Sequence, residues 1–190
     1  MDSAAVACTG IHRRLPVYGL SRMHDGERFA VCFTGHRPEK LPTGAEKRML
    51  ESLLYEEIRT AIADGADTFY AGMAQGVDIW AAEMVLLFRQ SHNIRLIAVR
   101  PYSEHGKELR GAALYRYNNI LHAADDIVIV CPHYHRGCYR QRNAYMIEHS
   151  QRLIAVVTDM HSGTGQTIRM AERRCLDIRR LMLEPLQAPD

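Results

Sequence analysis

The sequence predicts an α/β protein, a Rossmann-like three-layer sandwich with a mostly parallel sheet and helices on both faces. Three observations carry that expectation. From Phe29 onward, short apolar runs alternate with amphipathic stretches at helical spacing. The runs are continuously apolar, as strands are when both faces are covered. The stretches between them are long enough for crossover helices, which join parallel neighbours.

The elements follow in order. Phe29 to Phe33 reads as the first strand and ends at Thr34-Gly35. Thr43 to Asp64 reads as a helix, with Met49, Leu53, Leu54, Ile58 and Ile62 at helical spacing and Gly65 as its stop. Asp67 to Ala71 is a second strand, closed by Gly72. Val77, Trp80, Ala81, Met84, Leu87 and Phe88 then form one apolar stripe on a helix. Ile94 to Val99 is a third strand, stopped by Pro101, and a helix is expected through Leu109, Ala113, Tyr117 and Ile120. Asp126 to Val130 is a fourth strand, Tyr139 to Ser150 a helix, and Leu153 to Val157 a fifth strand. Ser162 to Gly165 reads as a glycine turn before a last helix through Ile168, Ala171 and Cys175, with Ile178 to Leu183 as an edge strand.

At 190 residues the chain suits one ordinary domain, expected over 29–183. Residues 1–28 read as a disordered leader, with Met23 an alternative start, and 184–190 as a frayed tail. Hydrophobic residues make up 47% and charged residues 24%, which excludes a disordered or collagen-like chain. No stretch approaches the ~20 apolar residues of a membrane helix, so no membrane partner is expected. Lys plus Arg total 24 against 22 for Asp plus Glu, so no global field gathers nucleic acid, and any anion site must be local. Five scattered cysteines fit reduced thiols in a cytoplasm better than a secreted disulfide scaffold.

Open parallel sheets bind ligands beyond the carboxyl ends of their strands. There the sequence places Thr34-Gly35-His36-Arg37, then Gly72-Met73-Ala74-Gln75-Gly76-Val77-Asp78, then Arg100-Pro101-Tyr102, and finally Gly163-Thr164-Gly165-Gln166-Thr167. Glycine lets a backbone approach a ligand closely, and a helix N-terminus offers unpaired N–H groups and partial positive charge. Three such turns on one edge, with Arg37 and Thr167 beside them, point to a phosphate-bearing ligand. The alternative is that the glycines only make tight turns. The spacing matches neither the Walker sequence nor the dinucleotide fingerprint.

The segments FTGHRPEKLP, GMAQGVDIWAAE, RNAYMIEHS and GTGQT resemble those of the YpsA-like proteins, a branch of the SLOG group of Rossmann-like domains that also holds DprA and the LOG phosphoribohydrolases. The resemblance runs from about Phe29 to Leu183. It implies a compact domain that binds a nucleotide-derived ligand at the glycine turns, as a sensor or an enzyme. The YpsA-like branch has no assigned reaction. LOG enzymes carry G-G-x-G-T-x-x-E, whose glutamate serves glycosidic cleavage. Here the matching frame ends in Met170, which cannot take a proton, and Glu172 is rotated off that face.

Individual residues have competing readings. Asp78 either caps its helix or contacts ligand, and Glu83 either faces a neighbour or stands in, with Asp78, as a weak catalytic carboxylate. Arg37 is the best phosphate fork in the chain. Arg142 and Asn143 match the family's RN position and line the pocket or cap a helix. Tyr102 stacks on a base or packs at the rim. Cys131, His133, His135 and Cys138 lie in one short loop without a second ligand pair, so a polar loop is expected rather than zinc.

The expected function is binding of a nucleotide-like small molecule, with no metal and no cofactor. The rivals are an N-glycosidic or phosphoribosyl hydrolase and a DprA-like nucleic-acid module. Arg169, Arg173, Arg174, Arg179 and Arg180 speak for the latter, interrupted by Glu172 and Asp177. A homo-oligomer is compatible with this reading.

Overall fold

The computed structural model describes residues 28–182. The expected leader up to Met23 and Glu27, Cys8, and the tail from Glu184 lie outside the described residues. The elements are β1 (Ala30–Gly35), a 3-10 turn (Pro38–Lys40), α1 (Gly44–Ala63), β2 (Thr68–Ala71), α2 (Val77–Phe88), β3 (Arg95–Tyr102), α3 (Gly111–Ala123), β4 (Asp126–Cys131), α4 (Cys138–Glu148), β5 (Arg152–Val157), α5 (Gly163–Arg173) and β6 (Asp177–Met182). The strands form one sheet in the order β4-β3-β2-β1-β5-β6, and every pairing is parallel. The α/β sandwich read from the sequence is therefore the observed architecture. No described helix is long and apolar enough to cross a membrane.

Each face has its own core. On one, Leu50, Leu54 and Ile58 of α1, Ile79 and Val85 of α2 and Ile120 of α3 pack with Val31, Phe33, Phe69 and Leu96. On the other, Met146 and Ile147 of α4 and Ile168 and Ala171 of α5 pack with Cys32, Ile97, Leu153 and Ala155. β1 therefore sends its helix to the first face, and β5 sends its helix to the second. The order reverses between these neighbours, which makes the β1/β5 boundary the topological switch point.

Four sequence expectations are corrected. The buried stripe of α1 is Leu50, Leu54, Ile58 and Ala61, one position on from Met49, which is exposed. On α2, Leu87 is exposed, while Asp78, Ile79, Ala82 and Val85 are buried, because α2 lies between α1 and α3 over the sheet. β3 does not stop at Val99. It runs through Pro101 to Tyr102, and only β4 flanks it that far, so the missing N–H breaks no ladder toward β2. Ser162 to Gly165 is no separate turn: Ser162 caps α5, accepting the Gly165 N–H at 3.3 Å, and Gly163, Thr164 and Gly165 are its first turn.

Candidate functional site

The turns after β1, β2, β3 and β5 all lie at the carboxyl edge of the sheet. The first two turns of α4 tie them together. Tyr139 lies under the Arg37 guanidinium, 5.8 Å from the ring centroid, and meets Tyr102 edge-on at 6.1 Å. Arg142 donates to Asp78 Oδ2 at 3.0 Å. Asn143 Nδ2 donates to Thr167 Oγ1 at 2.8 Å, and that hydroxyl donates to the Gly163 carbonyl at 3.0 Å. Three successive inward positions of one helix thus reach the loops of four strands.

The glycines serve different purposes. A Cβ on Gly72 would lie 1.2 Å from Arg142 Nη1, so the absence of a side chain there makes room for the guanidinium. Gly76, at φ +99°, brings its backbone against the His36 carbonyl, and Gly35 lies against Val77. A Cβ on Gly165 would meet the Met160 carbonyl oxygen at 2.0 Å. These four glycines let the protein close on itself. Gly163 differs, because nothing lies within 4 Å of its Cβ position. Among the described residues the Gly163 and Thr164 N–H groups and the Thr164 and Thr34 hydroxyls have no hydrogen-bond partner, although both threonines are buried. Free N–H groups at a helix N-terminus beside an open Cβ position are suited to an anion.

The charged groups are held firmly. Asp78 and Arg142 are both buried, and Asp78 Oδ2 also accepts the Ala74 N–H at 3.2 Å. Met73, next to Ala74 in the turn after β2, is buried with φ +62°. Arg37 is exposed and has no carboxylate partner among the described residues. His36 is buried. Its Nε2 accepts the Thr158 N–H at 2.8 Å, so the loops after β1 and β5 are joined across the switch point. Burial, reinforced by Lys40, lowers its pKa and keeps the ring neutral.

Glu83 stands apart from this group. It forms a two-pronged ion pair with Arg116 of α3, at 2.6 Å to Nε. Glu172 pairs with Arg180, which carries it toward β6. Its neighbours are also occupied: Arg179 pairs with Asp177, Arg174 with Glu148, and Arg169 donates to the Met160 carbonyl. The basic face read from the sequence is therefore largely neutralised in place.

Polar groups of the Cys131–Cys138 loop find partners within the loop and beside it. Cys131 donates to Gln141 Oε1 at 2.9 Å, His135 Nδ1 accepts the Gly137 N–H at 3.1 Å, and His133 faces Glu104 at 3.4 Å.

Sequence reasoning missed an aromatic cluster on this rim. Tyr102 meets His105 at 5.5 Å, Tyr134 at 5.4 Å and Tyr139, all near perpendicular. A hydrogen bond with Tyr139, followed by desolvation, raises the Tyr102 pKa. His105 is buried; Tyr117 Oη donates to the His105 carbonyl at 2.9 Å, and His105 Nδ1 lies 3.0 Å from Tyr117 Oη. Burial and the nearby Arg142 push His105 down to about 4. The tyrosines come from β3, the loop before α4 and α4 itself, so the sequence pointed to Tyr102 at the rim but not to its grouping with Tyr134 and Tyr139.

A parallel sheet whose order reverses between β1 and β5, edged by glycine turns and the N-terminus of α5, defines a Rossmann-like α/β domain. The chain belongs to the YspA SLOG family, whose YpsA model matches residues 31–177. It is 29% identical over 152 residues to a UPF0398 protein of Halalkalibacterium halodurans, covering 76% of this chain and 80% of the relative. A UPF0398 protein of Macrococcus caseolyticus is 24% identical, with coverage of 71% and 77%. The SPbeta prophage-derived protein YoqJ of Bacillus subtilis is 27% identical, with coverage of 62% and 76%. Among solved structures, DNA processing protein A of Helicobacter pylori superposes with a TM-score of 0.58 at 22% identity, covering 85% of this chain and 68% of that one, a likeness of fold.

Proposed function

We propose that the crevice binds a nucleotide-derived small molecule, with its phosphate on the first turn of α5. The observation that carries this reading is Gly163: its Cβ position is open, and unpaired N–H groups and the Thr164 hydroxyl stand beside it. Arg37 supplies the exposed guanidinium for a bidentate phosphate contact. The Tyr102, Tyr134 and Tyr139 rings offer a rim on which a base stacks. Binding without turnover is the favoured form. Met170 occupies the carboxylate position of the hydrolase frame, Glu172 and Glu83 are engaged by arginines, and Asp78 is tied to Arg142.

The test is thermal melting with adenosine monophosphate and ADP-ribose, paired with chromatography for released adenine. The expected result is a raised Tm with no free base. Release of adenine that disappears in Asp78→Asn establishes a glycosidase instead. No shift with either compound overturns the nucleotide reading. Single-stranded DNA is the second reading, because the Helicobacter pylori neighbour is described as binding it. A groove beginning with Arg37 and an aromatic rim is compatible with such a strand.

A further inference from the structure

A second concavity lies at the opposite, amino-terminal edge of the sheet. It has a volume of about 190 Å³ and opens on the α4/α5 face, where the strands begin. Its floor is formed by four strands: Ala30 of β1, Thr68 and Tyr70 of β2, Arg95 and Ile97 of β3, and Asp126 and Val128 of β4. The C-terminal end of α4 forms one wall through Tyr145 and His149, which stack with centroids 4.0 Å apart. Arg28 closes the rim.

We propose that this cleft is a second binding site, for a small organic anion carrying one phosphate or carboxylate on at most one flat ring. The argument begins with the arginines. Arg89, Arg116, Arg142, Arg152, Arg174, Arg179 and Arg180 each have a carboxylate partner. Among the described residues Arg28 and Arg95 have neither an ion pair nor a hydrogen bond, yet both line the same cleft.

The phenol groups of Tyr70 and Tyr145 are unpartnered in the same sense, and both border the space. Tyr70 lies 6.4 Å from Tyr145 and 6.1 Å from His149, so the three rings form an aromatic corner beside the guanidiniums. His149 Nδ1 donates to the Tyr145 carbonyl at 2.7 Å, which fixes the ring against its neighbour. Donors therefore outnumber acceptors around the cavity. One carboxylate, Asp126, opposes them at the β4 side, and its Oδ1 accepts the Ile127 N–H at 2.8 Å. Two guanidiniums free of carboxylate partners beside flat aromatic walls suit an anion on a planar body.

Size sets the class. Pockets for whole drug-sized ligands run from ~300 Å³ upward, so this one suits a fragment smaller than a nucleotide. It also sits on the edge of the sheet away from Gly163, so the two sites do not share side chains.

The experiment is calorimetric titration of the full chain with phenyl phosphate, benzoate and inorganic phosphate, with benzyl alcohol as the neutral control. Phenyl phosphate or benzoate is expected to bind, and benzyl alcohol is not. Arg95→Gln should weaken binding by roughly tenfold or more, as loss of a charge-assisted hydrogen bond does, with the melting temperature unchanged because Arg95 has no described partner to lose. Asp126→Asn should tighten it. Tyr145→Leu should weaken phenyl phosphate more than inorganic phosphate. Gly163→Glu, which blocks the crevice at the other edge, should leave all of these affinities unaltered. The proposal is overturned if no aromatic anion binds at millimolar concentration, if Arg95→Gln leaves the affinity as it was, or if Gly163→Glu abolishes binding. The last result would place the anions in the carboxyl-edge crevice and leave the nucleotide reading standing.

Discussion

The guanidinium of Arg142 lies 3.0 Å from the carboxylate of Asp78 and fills the volume that a Cβ on Gly72 would require. The β2–α2 turn and a residue of α4 distant in the chain therefore depend on one another. Removing one partner of a buried ion pair leaves the other charge desolvated, at a loss of ~3–5 kcal/mol. Arg142→Met and Asp78→Leu are each expected to fall in that range by urea denaturation, and the double variant to recover part of the loss. Gly72→Ala should resemble Arg142→Met, because the added methyl expels the guanidinium. If Gly72→Ala retains full stability, the pair does not need that space.

Gly163 and Gly165 should respond in opposite ways although they are two residues apart. Gly163→Glu meets nothing within 4 Å and adds a carboxylate at a helix N-terminus. Its stability should hold or rise by ~0.3–1 kcal/mol while the shift with adenosine monophosphate disappears. Gly165→Ala drives a methyl into the Met160 carbonyl and should lower the melting temperature with or without ligand. Melting curves with and without nucleotide separate the two effects.

Acid should act through His105. Its pKa stands at about 4 in the folded chain against an ordinary 6.5. The unfolded chain takes up the proton first as pH falls, so stability rises with pH between those values and is flat above them. The contribution is on the order of 3 kcal/mol, one pKa unit being ~1.4 kcal/mol. Burial and Arg142, Arg100 and Arg37 depress the ring, and Glu108 opposes them. His36 adds to the trend in the same direction. His105→Asn should show a shallower rise than the parent chain when urea stability is measured across that window. Parallel curves would mean that His105 does not carry it.

Single-stranded DNA should bind through few phosphates, since Arg174, Arg179 and Arg180 are already paired with carboxylates. The slope of log K against log salt should be shallower than about −1.4, or two phosphates at ~0.7 each. Arg173→Ala should change affinity little, and Arg37→Ala more. Fluorescence anisotropy with an oligothymidylate across a salt series measures both. A steep slope removed by Arg173→Ala would return the basic helix face to the interface.

The order of strands and helices was legible because hydrophobic periodicity is a local property of the chain. Apolar runs such as Phe29 to Phe33 and Leu153 to Val157 must be strands when amphipathic stretches separate them. The family motifs, and with them the glycine turns, were legible for the same reason. Helix phase was less so: Leu50 rather than Met49 faces the core, because the sheet beneath α1 selects among overlapping stripes.

What the glycines are for was decided only by the tertiary structure. Sequence marks Gly35, Gly72, Gly76, Gly163 and Gly165 as one kind of residue. The fold divides them, since four make room for Val77, Arg142, the His36 carbonyl and the Met160 carbonyl, and Gly163 alone is open. The same holds for charge. Whether Glu83 is a candidate acid or a partner of Arg116 depends on where α3 crosses α2, and whether Arg95 is paired depends on what the sheet and α4 bring beside it. Such questions concern atoms distant in the chain, whose distances are set by packing rather than by spacing along the sequence.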